Sequence, residues 1–573
     1  MTSVVSRASI DCSSTLTEYV HACLAAHDEH LFLAEVDGPS LTYGEASARV
    51  AALRRLLREE GIKAGDKVAL LGGNSVNWCL TYLATVTAGA VAVPILPDFA
   101  ANAVHNILAV SDSRMLFVTA ALLEKVEGAI LPNLERAFLL DDFSAVELGG
   151  GPELLRQVRE RVQRLTARAS AFVAEHILGG GPSDHAPQPG DLAAIVYTSG
   201  TTGRSKGVML THGSLAANVL AAVEYVEISP ADRFLALLPL AHTYQCTCGL
   251  LGPMSGGSSI HFLKAKPSPK VLLDAFAKVK PTIVFAVPLI IEKIYRSKVR
   301  PRIEASRLAR GLCRVPFGRR FVYRKAVRSL LAAFGGGLRQ MGFGGAALSS
   351  EVEQFMRLGR FPYFVGYGMT ECSPLIAGSR LENTRMGSCG YAVRGAELRI
   401  ADPVDADGVG EIEVRGPMVT QGYYRNAEAT AALFTDDGWL RTGDLGLVDR
   451  DGFLHLKGRS KNVLVGPSGE NVYPEEIEQL LNASPWVLES LVVLREGKLH
   501  ALVVPDYDAV SAEVALASRD EGETRVRVEA RFAALLREVN EKLPSYSKVS
   551  AFTLMDQEFE KTPTQKIKRY LYA

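Results

Sequence analysis

Between Leu192 and His212 an apolar run, Leu192-Ala-Ala-Ile-Val196, passes into Tyr197-Thr-Ser-Gly-Thr-Thr-Gly-Arg-Ser-Lys206-Gly-Val-Met-Leu-Thr-His212. The run reads as a buried strand that stops at a turn. Gly200 and Gly203 remove the Cβ obstacle, so backbone N–H groups can converge on an anion. Thr198, Ser199, Thr201 and Thr202 add neutral donors, and Lys206 adds a mobile positive charge. These are the parts of a phosphate clamp at a strand end, although a plain flexible loop has the same composition. The nucleoside-triphosphatase P-loop needs G-x-x-x-x-G-K-[ST]. Here Gly200-x-x-Gly203-x-x-Lys206 is followed by Gly207, so no hydroxyl stands where that loop places its magnesium ligand.

Apolar runs and helical patterns alternate on either side of the clamp: Ala52 to Leu57, Asp66 to Leu71, Val91 to Ile95, Met115 to Val118 and Ala137 to Leu140. Such alternation points to α/β layers around a mostly parallel sheet. At 573 residues the chain is too long for one core. Residues 68 to 97 carry no charge, but Gly72, Gly73, Gly89 and Pro94 interrupt them; they read as strand, buried helix and strand rather than a membrane span. A long charged helix is expected over 152–176, then a Gly/Pro linker. From Gly410 the chain becomes strand-rich.

Lys plus Arg and Asp plus Glu both number 63, so no net field attracts nucleic acid, and no recognition module is visible. Eight scattered cysteines and no secretory leader fit a reduced, cytoplasmic protein. Thirteen Lys or Arg and one acid, Glu304, lie between Lys293 and Arg328, interleaved with Leu308, Val315, Phe317 and Phe321. That pattern suits either a solvated helical face or peripheral contact with an anionic bilayer.

The clamp string closely resembles the phosphate signature of the adenylate-forming superfamily, with Ser205 where many members carry Pro. Further stretches resemble it in the same order: Leu238-Pro-Leu-Ala-His242, Val365-Gly-Tyr-Gly-Met-Thr-Glu371, Trp439-Leu-Arg-Thr-Gly-Asp444, Leu456 to Glu478, and Lys561-Thr-Pro-Thr-Gln-Lys566. The version most resembled is the bacterial long-chain fatty acyl-CoA synthetase. Asn462 stands where many members carry Asp.

The resemblance implies an α/β fold with a large, multi-subdomain N-terminal domain, residues 1–458, of layered sheets and a β-barrel-like part. A small mobile α+β C-terminal domain, residues 459–573, would hinge near Lys461. It also implies ATP-dependent activation of a fatty acid to acyl-AMP and transfer to coenzyme A. Lys566, Thr202, His242 and Glu371 would be catalytic, with Glu371 and Thr202 on Mg²⁺. Thr198 to Gly203, Lys206, Gly345, Ala346, Tyr367, Gly368, Thr370, Asp444, Arg459, Lys461 and Gly469 would bind ATP or coenzyme A, Asp444 through the ribose hydroxyls. Gly344, Gly345 and Ala346, beside Pro288 and Tyr244, would open an alkyl tunnel. A carrier-protein acceptor, an aryl or branched acid, a nucleotide-sensing role and a homodimer all stay open at this point.

Overall fold

The computed structural model describes residues 13–129, 131–147, 186–198, 205–264, 268–401, 408–465, 470–507, 509–510, 521–562 and 566–572. The expected helix over 152–176, residues 199–204 of the clamp and Gly469 lie outside them.

A six-stranded sheet runs in the order Arg136–Leu139, Ser113–Val118, Lys67–Leu71, Val91–Ile95, Leu192–Thr198, Lys206–Thr211, parallel except for the last pair. The uncharged stretch supplies two of these strands and the helix Val76–Thr87 between them, capped by Ser75. Buried on all sides, that helix can be apolar around its whole circumference.

A nine-stranded sheet places Arg233–Ala236, Ile283–Ala286, Gln340–Phe343 and Tyr363–Gly368 side by side in parallel, with antiparallel strands at both edges. The helix His212–Val223 packs beside it, opened by a capping box between Thr211 and Ser214. The strand Arg233–Ala236 ends before the Leu-Pro-Leu string, so that string and His242 form the loop beyond it.

Glu397–Ala401, Gly410–Arg415, Leu440–Val448 and Leu454–Arg459 form an antiparallel sheet whose two outer strands do not meet. The expected barrel-like part is therefore an open sheet: closure needs a paired first and last strand. After Arg459 come a small hairpin and the three-stranded sheet Val487–Arg495, Lys498–Pro505, Ala551–Leu554, covered by the helices Pro474–Asn482 and Glu521–Asn540 around their own core.

Candidate active site

The strands that flank the clamp string, the Tyr-Gly-Met-Thr-Glu turn and the Thr-Gly-Asp string belong to three different sheets, and side chains join them. Lys206, first residue of the strand after the clamp, lies over the Tyr423 ring at 4.8 Å from its centre. The Tyr423 hydroxyl donates to Glu371 Oε1 at 2.8 Å. Glu371 sits on the turn after Tyr363–Gly368, and its backbone carbonyl accepts from Thr420 N at 2.8 Å, while Thr420 Oγ1 donates to Met209 O at 2.6 Å. Tyr423 and Thr420 carry no legible signal in the sequence, because their role arises from contacts with residues far along the chain.

Tyr363–Gly368 also supplies Tyr367, whose buried hydroxyl donates to Asp444 Oδ2 at 2.7 Å. Arg459 Nε holds Asp444 Oδ1 at 2.6 Å, since Asp444 and Arg459 are paired positions of neighbouring antiparallel strands. A carboxylate fixed by two donors keeps lone pairs for further ones, as two ribose hydroxyls require. Gly368 is obligatory for packing: a Cβ there would stand 1.9 Å from Pro374 O. The turn from Cys372 to Leu375 is pinned by Asn218, which donates to Cys372 O at 3.1 Å and Leu375 O at 2.8 Å and accepts from Leu375 N at 3.0 Å.

His242 accepts a hydrogen bond from Tyr244 N on Nδ1 at 3.2 Å. Its proton therefore belongs on Nε2, and burial, with the Lys566 charge second, brings its pKa down to about 4. At neutral pH it is therefore an uncharged ring with an N–H at Nε2. Lys566 is exposed, yet its ammonium lies in the field of Arg459, Asp444 and Glu371 as well as His242. Desolvation by the surrounding cleft, then Arg459, lowers its pKa, while Asp444 and Glu371 oppose the shift. Residues from the middle and the far end of the chain thus share one cleft.

The approach of Lys566 depends on the helix Pro474–Asn482 lying against the larger part of the molecule. Gln479 Nε2 donates to Leu348 O at 2.8 Å, Lys457 pairs with Glu476 at 2.8 Å, and Arg296 and Arg300 reach Asn482 O and Ala483 O at the helix end. Cations there meet the unpaired carbonyls and the negative end of the helix dipole. Asn462 donates to Glu475 at 2.6 Å. An aspartate at that position would set two carboxylates against each other. Lys461 is exposed between the last strand of the open sheet and this unit.

Beside Tyr244 a nearly wholly apolar cavity runs between the helix His212–Val223 and the nine-stranded sheet, lined among others by Tyr225, Phe285, Phe343, Phe364 and Gly378. Gly345, Ala346 and Pro288 do not line it. Gly345 and Ala346 lie exposed in the turn after Gln340–Phe343, Gly345 at φ +82, because the chain leaves the sheet there. Tyr244 does line it, and the Gly344 Cα faces the Tyr244 ring so closely that a Cβ would stand at 3.3 Å.

A family model described as AMP-binding enzyme matches residues 21–424. The long-chain-fatty-acid–CoA ligase FadD15 of Mycobacterium bovis is 31% identical over 587 residues, covering 94% of this chain and 91% of that protein. The 4-coumarate–CoA ligase 3 of Oryza sativa is 30% identical, covering 92% and 89%. Among solved structures, ATP-bound MatB from Rhodopseudomonas palustris superposes with a TM-score of 0.75 at 25% identity, covering 97% of this chain and 98% of that one.

Proposed function

The chain belongs to the AMP-binding enzyme family, and on that premise we propose that it is a long-chain fatty acid–CoA ligase. ATP would convert the acid to an acyl adenylate, and coenzyme A would then take the acyl group. A carboxylate resists thiols because oxide is a poor leaving group. Attack of one carboxylate oxygen on the α-phosphorus, with departure of pyrophosphate, replaces oxide by AMP; thiol attack on the acyl carbon then expels AMP.

In the first step negative charge gathers on phosphoryl oxygens. Lys566 would neutralise it, His242 Nε2–H would donate to the acid, and Asp444, held by Tyr367 and Arg459, would fix the ribose. Glu371 has the chemistry of a Mg²⁺ ligand: Tyr423 occupies one of its oxygens, leaving the other for a hard cation. Bound there, the ion would supply charge neutralisation to the phosphates. Fixing nucleotide and acid in one cleft removes much of the entropic barrier. Lys566 and an incoming thiol need the same space, so the unit after Arg459 would swing about Lys461 between the steps.

The observation that supports the fatty-acid reading is the chemistry of the cavity lining beside Tyr244, which has no charged side chain; its free room is only about 30 Å³, so an alkyl chain would have to part the side chains that line it. Hydrocarbon surface rewards each added methylene by roughly 0.8 kcal/mol, whereas a polar or dicarboxylic acid would bury unpaired groups there. Release of AMP across straight-chain acids of graded length, with and without coenzyme A, tests this. Activity should climb with chain length and require coenzyme A for turnover. Preference for aryl or short dicarboxylic acids would overturn the substrate class, and turnover only with a carrier protein would overturn the acceptor.

A further inference from the structure

The hairpin formed by Arg307–Cys313 and Pro316–Ala333 carries the most exposed aromatic surface among the described residues. Phe317 is 83% and Phe321 64% exposed, and Leu308 (74%) and Val315 stand beside them in the sequence. Along Pro316–Ala333 the exposed positions Phe317, Arg320, Phe321, Arg324, Lys325 and Arg328 fall at helical spacing on one stripe, while Gly318, Val322, Val327 and Leu330 are buried on the other side. Of the region's cations, Arg300 pairs with Glu304 and Glu351, and Arg296 is spent on the end of the helix Pro474–Asn482. Arg302, Arg307, Arg310, Arg314, Arg320, Arg324, Lys325 and Arg328 have no ion pair among the described residues. No described helix is long and apolar enough to cross a membrane.

Two phenylalanines held in water amid unneutralised arginines are costly unless something covers both at once. We propose that this stripe docks the protein on an anionic bilayer, the rings entering the layer below the headgroups and the cations meeting lipid phosphates. A nucleic acid would satisfy the cations, but its stacking sites call for a groove that holds bases against flat faces. Here the rings stand on the outer side of a helix beside the aliphatic Leu308 and Val315, which suit acyl chains. The inference rests on surface chemistry alone and does not depend on which acid the cleft activates.

The full-length protein would be sedimented with phosphatidylcholine vesicles with and without phosphatidylglycerol, across a salt series. Binding should require phosphatidylglycerol and weaken as salt rises. Phe317→Ser with Phe321→Ser, and separately Arg320→Glu with Arg324→Glu, should each lower partitioning roughly tenfold or more. Both pairs should leave ATP–pyrophosphate exchange unchanged, which also reports that the variants are folded. Absence of binding, equal binding to neutral vesicles, or wild-type binding by both folded variants would overturn the proposal. So would release from vesicles by a short oligonucleotide at trace concentration, which would assign the stripe to nucleic acid. Loss of a solution dimer in the phenylalanine variant without any vesicle binding would assign it instead to a second copy of the chain.

Discussion

Replacing Lys566 by Ala should separate the two proposed half-reactions. The Lys566 loop is held by its backbone: Thr562 N donates to Lys566 O at 2.8 Å, Lys566 N donates to Thr562 Oγ1 at 3.2 Å, and Lys561 pairs with Glu489. Truncating a solvent-facing side chain leaves those contacts in place, so the fold should hold. What disappears is one ammonium from a cleft that already brings Asp444, Glu371 and Arg459 into its field. A unit charge about 4 Å from developing phosphoryl charge, at an effective dielectric near 20, is worth about 4 kcal/mol. That corresponds to roughly a thousandfold in rate. ATP–pyrophosphate exchange with a fatty acid should fall by about that factor. Thioester formation from supplied acyl adenylate and coenzyme A should stay within a few fold of wild type. Equal loss in both assays would refute the role given to Lys566, and loss confined to the second would invert it.

Tyr367→Phe removes one donor from the Asp444 carboxylate. A hydrogen bond to a charged group is worth about 1.5–3 kcal/mol, so the KM for ATP should rise about ten- to a hundredfold with kcat largely kept; an unchanged KM would detach this pair from the ribose. Arg296→Ala frees Asn482 O at the end of the helix Pro474–Asn482 and Val487 O in the strand beyond it, and should weaken the arrangement that brings Lys566 in. At about 1–2 kcal/mol, exchange should slow roughly five- to thirtyfold while the thioester step is spared, and a parallel loss in both steps would count against it. If Lys566 acts as a cation, the alkaline side of kcat/KM for adenylation should be set by its pKa, which lies below the ordinary lysine value. The kcat/KM should fall as pH rises through that lowered value, before an ordinary lysine would titrate at about 10.4. Lys566→Arg, which stays charged above about 12, should abolish that alkaline limb. An unaltered limb would assign it to another group.

Much of the local architecture was legible in the chain because it is set by neighbours in sequence. The uncharged stretch from Val68 to Pro97 folds as strand, helix and strand, since only a helix buried on every side tolerates that composition. The α/β alternation likewise becomes mostly parallel sheets. The barrel-like expectation failed because strand content says nothing about whether outer strands meet; the sheet from Glu397 to Arg459 stays open. Gly344 to Ala346 are small, yet they lie in the turn after Gln340–Phe343, and the apolar cavity beside Tyr244 is lined by Tyr225, Phe285 and Phe343. Small residues mark free volume only where other elements do not fill it.

By itself the sequence settled which kinds of group are present and in what order: a glycine–hydroxyl string after a strand, a glutamate after Tyr-Gly-Met-Thr, an aspartate after Thr-Gly, a lysine seven residues before the last residue given. Motifs of this kind are readable because backbone freedom and side-chain chemistry are local properties. Only the tertiary structure decided that Tyr423 bridges Lys206 to Glu371, that Tyr367 and Arg459 share Asp444, and that Phe317 and Phe321 are left facing water. Those pairings join residues tens to hundreds of positions apart, and what selects them is the packing of whole sheets and helices, to which no single stretch of the chain holds the key.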